Sequence, residues 1–142
     1  MKCSESRYSR CMYFASGALA RKIEKLAMAC WKKAALSPSH GYLLVIALEQ
    51  PGIQPGQLAA QLQLSPSTVT RLVEKLEEKE LVRRSMEGKT TNIFPTEKGR
   101  ALSPMLESCI RQFHEQVENI VGQDNASQLI ESIHRCTDTL DD

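Results

Sequence analysis

Residues 57–99 read QLAAQLQLSPSTVTRLVEKLEEKELVRRSMEGKTTNIFPTEKG, and the run divides cleanly at its punctuation residues. Leu58, Ala59 and Leu62 form the apolar face of a short helix, with Pro55 suited to its first turn and Gln54 a weak cap. Leu64 supplies an apolar residue to the turn that follows. Ser65 is a good N-cap, and Pro66 fits the first helical position because its missing N–H would be unpaired there anyway. From there Val69, Leu72, Val73 and Leu76 make an inward stripe at helical spacing. The opposite face carries Ser67, Thr68, Thr70, Arg71, Glu74 and Lys75. Short hydroxyls and one arginine in the first two turns let the backbone come close to base edges and phosphates.

After this helix, Leu81-Val82-Arg83-Arg84 predicts a strand and Thr91-Asn92-Ile93-Phe94 its return. Glu87-Gly88 is read as the pair closing the hairpin, since glycine accepts positive φ without strain. Arg83, Arg84 and Lys89 put positive charge on this hairpin, and Thr96 caps the next helix with Glu97 in its first turn. Short helix, turn, longer helix and hairpin in this order describe a winged helix-turn-helix, whose second helix is shaped for the major groove of DNA. The expected fold is mainly α with a small β-hairpin wing.

These residues resemble the MarR family of bacterial transcription regulators. The resemblance rests on Leu36-Ser37-Pro38, on Leu58-Ala59, on the run Ser67 to Val73, on Leu76-Glu77 through Arg84, and on Thr96-Glu97-Lys98-Gly99. It extends over residues 8–121 in order of elements. It implies a homodimer of triangular outline with interleaved N- and C-terminal helices, bound to a pseudo-palindromic operator, most often as a repressor released by a small ligand or an oxidant. One departure stands in the wing: Glu87-Gly88-Lys89 replaces the family's Asp-x-Arg. Lysine does not reproduce the planar fork of arginine in a narrow groove.

The chain of 142 residues fits one domain, or one protomer whose core a partner completes. Its net charge of +1 gives no global signal for nucleic acid. The distribution is more telling. Residues 1–33 hold eight basic and two acidic side chains, residues 34–100 eight and seven, and residues 101–142 two and eight. The acidic end is expected to lie far from DNA. Lys2, Arg7 and Arg10 before the apolar run Cys11–Ala20 imitate a secretory signal. However, Tyr8, Met12, Ala15, Leu19, Ile23, Leu26 and Cys30 keep helical phase straight through that run, so a cytoplasmic protein without a membrane span is expected.

The organisation follows. A dimerisation region, 1–36, holds a first helix from about Arg7 to Lys33. The DNA-binding region, 37–100, opens with a helix from Ser37-Pro38 that carries Tyr42, Leu43, Ile46 and Ala47 and stops at Pro51-Gly52. A second dimerisation region, 101–142, belongs to a long helix from Thr96 to Gly122, kinked by Pro104, and a last helix capped by Asp124. The three regions are read as one integrated domain.

The candidate DNA contacts are Ser65, Ser67, Thr68, Thr70, Arg71, Lys75, Arg84 and Lys89. Cys30, Cys109 and Cys136 lie on or beside apolar stripes, whereas Cys11 follows Arg7 and Arg10 and is the candidate redox sensor. It falls one residue from the sensing cysteine of the family's hydroperoxide-responsive branch, though without that branch's supporting tyrosines; an ordinary thiol is the plainer reading. Met12, Tyr13, Trp31 and Tyr42, with Met28 and Met105, are the candidate lining of an effector cleft. Glu24, Cys30, His40, Glu107 and His114 lack the spacing of a zinc site, so no metal and no cofactor are expected. No nucleophile–base pair or phosphate loop stands out, and an enzyme is not expected. The expected partners are double-stranded operator DNA, a second copy of the chain and a small-molecule effector. The rival reading is a winged-helix module that contacts proteins and binds little DNA.

Overall fold

The computed structural model describes residues 1–140. Among these residues seven α-helices and one hairpin follow in order: α1 Met12–Trp31, α2 Pro38–Glu49, α3 Pro55–Leu62, α4 Pro66–Glu78, β1 Val82–Glu87, β2 Thr90–Pro95, α5 Glu97–Ala101, α6 Ser103–Val121 and α7 Gln123–Leu140. The expected class, a mainly α winged helix-turn-helix with flanking helices, is the class observed.

Local signals explain most of the element starts. Ser37 and Ser65 cap α2 and α4 by accepting the N–H of His40 and Thr68, each followed by proline at the first helical position. Thr96 caps α5 by accepting from Gly99. Inside, Leu58 of α3, Val69, Leu72, Val73 and Leu76 of α4, and Leu43, Leu44 and Ala47 of α2 form one buried cluster. Burying such a leucine or valine contributes about 1.5–3 kcal/mol, so the α4 stripe outweighs its cap, worth about 1 kcal/mol. The cluster continues into the flanking helices through Cys30 and Trp31 of α1 and Leu106 and Cys109 of α6. The helix-turn-helix thus shares its core with the flanking helices.

The hairpin pairs Val82 with Pro95 through to Glu87 with Thr90. Its two-residue loop is Gly88-Lys89, one residue beyond the expected Glu87-Gly88, with φ +63° at Gly88. Positive φ at the first loop position alone suits a type II′ turn, which matches the strand twist. A bridge between Ile53 and Ile93 ties the base of the wing to the α2–α3 connection.

The end of α4 is joined to α5. Thr96 Oγ1 donates to the Glu80 carbonyl at 2.6 Å, Lys98 Nζ donates to the Lys79 carbonyl at 3.1 Å, and Thr96 N–H donates to the Leu81 carbonyl at 3.0 Å. Gly99 lies so close to the Leu81 carbonyl that a Cβ there would overlap it.

Three helix boundaries differ from expectation. The first helix begins at Met12, not near Arg7: Cys11 is extended, with φ −93° and ψ 122°, and Tyr8 leaves the stripe to stack on Phe14 at 4.6 Å. Pro104 does more than kink the long helix. Having no N–H to give to Arg100, it separates α5 from α6 at Leu102. Asp124 lies in the first turn of α7 and is not its cap; Gly122, at φ +91°, supplies the carbonyl that receives Ala126 N–H. No helix among the described residues is long and apolar enough to cross a membrane.

Candidate nucleic-acid interface

The interface is built on the first turns of α4. Ser65 Oγ accepts Thr68 N–H at 3.3 Å and lies 2.8 Å from Thr68 Oγ1 and 3.2 Å from Ser67 Oγ, forming a cluster of three hydroxyls at the helix N-terminus. That end carries the positive pole of the helix dipole, and with Thr68 and Val69 N–H bonded to Ser65 and Pro66 having none, the N–H of Ser67 is the one left open toward a phosphate. Thr70 Oγ1 donates back to the Pro66 carbonyl at 3.0 Å, so its hydroxyl proton is committed while its lone pairs face outward. Arg71 is exposed and makes no ion pair among the described residues. One turn later Lys75 pairs with Glu78 at 3.6 Å, both mostly exposed, a contact of little energy. The exposed Glu74 and Glu78 confine the favourable potential to the first two turns.

The wing arginines part company. Arg84 Nε meets Glu77 Oε1 at 2.6 Å, on the side of α4. Arg83 lies over the ring of Phe94 at 4.6 Å, on the other face of the hairpin. Lys89 is exposed at the wing tip. Of the eight candidate contacts, Ser65, Ser67, Thr68, Thr70, Arg71 and Lys75 share one helix, Arg84 stands beside the end of that helix, and Lys89 stands apart. Glu77 was missed by sequence reasoning, because its partner is seven residues away on a different element and no local pattern links them.

Beneath α4, His40 of α2 exchanges a short hydrogen bond with Ser37 Oγ through Nδ1. Burial holds its pKa below the ordinary histidine value, helped by the positive charges of Lys79 and Lys75.

The expected effector cleft does not assemble. Trp31 is fully buried, and Tyr42 packs against it at 5.3 Å between ring centroids. Met12 and Tyr13 are exposed at the opposite end of α1, about 28 Å away at the usual helical rise. An open cleft of about 490 Å³ lies instead between α2 and α6, floored by Val45, Leu48, Leu106 and Ile110 and rimmed by Glu49, Glu107, Arg111, His114, Glu115 and Glu118. Its volume is within the range of small-molecule sites.

Cys30 and Cys109 are buried as expected, and burial pushes the Cys109 thiol up. Cys136 is exposed, because the stripe of α7 that it borders has no partner within this chain. Cys11 is half-buried at the start of α1, beside the Tyr8–Phe14–Tyr13 aromatic group. Among the described residues, no three His, Cys, Asp or Glu side chains gather as a metal set.

Comparison with known proteins agrees with this architecture. The profile of the MarR family matches residues 36–87. Over 93 residues, 63% of this chain, the sequence is 29% identical to the uncharacterized HTH-type transcriptional regulator YybA of Bacillus subtilis (strain 168), and the match spans 62% of that relative's length. The repressor CouR bound to a 23-mer DNA duplex superimposes with a TM-score of 0.81 at 19% identity, over 96% of this chain and 98% of that one. CouR from Rhodococcus jostii RHA1 bound to p-coumaroyl-CoA gives 0.72 at 22%, over 94% and 92%. The S. aureus MepR–DNA complex gives 0.77 at 19%, over 91% and 97%. Likeness at these identities establishes the fold.

Proposed function

We propose that this chain is a regulator of the MarR type, whose family profile matches residues 36–87: a homodimer that represses transcription from a pseudo-palindromic operator and is released by a small ligand. The observation that carries this reading is the exposed N-terminal face of α4. Three hydroxyls, the open N–H of Ser67 and an unpaired Arg71 stand together there, while the four apolar residues of the same helix are buried. Such a face offers phosphate seats and base-edge donors at once. Ser65, Ser67, Thr68, Thr70 and Arg71 are assigned to the major groove, and Lys75, Arg84 and Lys89 to flanking phosphates. CouR and MepR, each solved on DNA, share the fold that presents this helix.

Dimerisation is supported by what this chain leaves uncovered. Met12, Tyr13, Leu19 and Ile23 of α1, and Leu129, Ile130 and Ile133 of α7, are large apolar residues exposed to solvent. The α1 end of the chain is strongly basic and the α7 end strongly acidic. Two copies that cross α1 over α7 bury both stripes and pair the charges. Regions 1–36 and 101–142 thus join the copies, and region 37–100 reads the operator in the cytoplasm. The effector belongs in the α2–α6 cleft, where it would touch both a helix packed beneath the recognition helix and a flanking helix. CouR, with its p-coumaroyl-CoA complex, is a protein of this fold that takes a small ligand.

The test is selection of the purified protein on random-sequence duplexes at two salt concentrations. Enrichment of one palindrome is the expected outcome. Weak binding that salt abolishes, with no enriched sequence, would move the protein to a protein-contact role.

A further inference from the structure

Glu77 and Arg84 form the closer of the two ion pairs among the described residues, and they join the last turn of α4 to the first wing strand. The contact is made through Arg84 Nε. A guanidinium carries five N–H donors in a fixed plane, and one is used here. The four on Nη1 and Nη2 have no partner among the described residues, and the Arg84 side chain keeps 42% of its exposure against 29% for Glu77. The carboxylate therefore sits inside, toward the helix, and the open end of the fork points out. Two parallel N–H groups on that open edge match the spacing of two phosphate oxygens.

We infer that Glu77 is a positioning residue for DNA: it holds Arg84 by the inner edge so that the outer Nη1–Nη2 edge meets a backbone phosphate beside the recognition helix. The inference rests on the DNA-binding reading above. Arg83 does not duplicate this role, since its guanidinium lies on the Phe94 ring across the hairpin. A pair this exposed adds little to folding stability, so its effect is expected in binding. The carboxylate also brings a negative charge near the phosphate. The reading requires that the gain from a fixed fork exceeds that repulsion, and this gives the test its sign.

The test titrates a labelled palindrome, selected by the wild-type protein, against wild type, E77A, E77Q, R84A and the double variant E77A/R84A over a series of salt concentrations. Melting curves confirm that each variant folds. R84A should reduce the slope of log affinity against log salt by about one unit. E77A should weaken binding about three- to tenfold, and E77Q, which keeps an oxygen to accept the Nε–H, should recover most of that loss. In the R84A background E77A should cost no affinity, and the relief of the carboxylate's repulsion should leave binding equal or slightly tighter. Tighter binding by E77A or E77Q would overturn the inference, because the carboxylate would then only repel DNA. An E77A loss that persists without Arg84 would overturn it too. A wild-type protein that selects no palindrome fails at the DNA-binding reading itself, which separates that failure from this one.

Discussion

Gly41 of α2 lies flat against the indole of Trp31 at the end of α1, so close that a Cβ at position 41 would overlap the six-membered ring. This contact seats the basic first helix on the helix-turn-helix, and no side chain larger than hydrogen fits it. Gly41→Ala should therefore destabilise the fold by about 1–3 kcal/mol in urea unfolding, by overpacking a rigid core. Gly56 in α3, which has open space around its Cα, is the control. There alanine should stabilise by about 0.5–1 kcal/mol.

Glu80 ends the recognition helix at φ +59°, in the left-handed region. A side chain with a Cβ costs about 1–2 kcal/mol there relative to the right-handed form. Glu80→Gly removes that strain and keeps the carbonyl that Thr96 uses. It should raise stability by about 1 kcal/mol and leave operator affinity unchanged, as read by thermal melting and by anisotropy titration.

His40 predicts a dependence on pH. Its pKa in the folded protein is depressed, by burial first and then by Lys79 and Lys75. The unfolded chain therefore binds more protons in the window from the ordinary histidine value, about 6.5, down to the folded value. The stability His40 contributes is complete above that window and is lost as pH falls through it. Urea midpoints should decline on acidification from pH 7, and His40→Gln should flatten this part of the decline.

At the DNA surface, Arg71→Ala should weaken binding to the selected palindrome by about 1–3 kcal/mol if the arginine reads a base, with a smaller effect on unrelated duplexes. Equal losses on both would reassign it to phosphate. Ser65→Ala, which removes the α4 cap, should cost about 1 kcal/mol of folding stability as well.

The uncovered face of α7 predicts the assembly. Ile133 is 44% exposed, and Leu129 and Ile130 lie one turn before it. Ile133→Asp should raise the concentration at which dimers dissociate about tenfold or more, measured by light scattering behind size exclusion, without loss of helix content.

The parts legible in the sequence were those written by neighbours in the chain. Ser65-Pro66 marks the recognition helix, Val69 to Leu76 its buried side, and Thr96 the restart after the wing, because caps and periodic stripes act over three or four residues. What stayed hidden depends on partners far along the chain. The Ile53–Ile93 bridge, the Glu77–Arg84 pair and the α2–α6 cleft leave no local trace. The supposed effector residues misled for a related reason: aromatic and methionine side chains on a stripe have the same spacing whether they line a cleft, fill a core or face solvent. Trp31 fills the core, and Met12 and Tyr13 face solvent. Tyr8 kept the period of α1 by coincidence, since stacking on Phe14 holds it outside the helix.

The bonds from Thr96 and Lys98 back to the end of α4, with Gly99 packed against the Leu81 carbonyl, have a mechanical consequence. They clamp recognition helix, wing base and α5 into a single lever, and Pro104 places the fulcrum at Leu102, where α5 gives way to α6. Any rotation at that residue would carry the recognition helix and the wing together, with their mutual angle unchanged. In a dimer two such levers share one frame of flanking helices. In the proposed dimer the distance between the two recognition helices would be set by these joints, and a ligand held between α2 and α6 would act next to the fulcrum, where a small displacement is carried farthest.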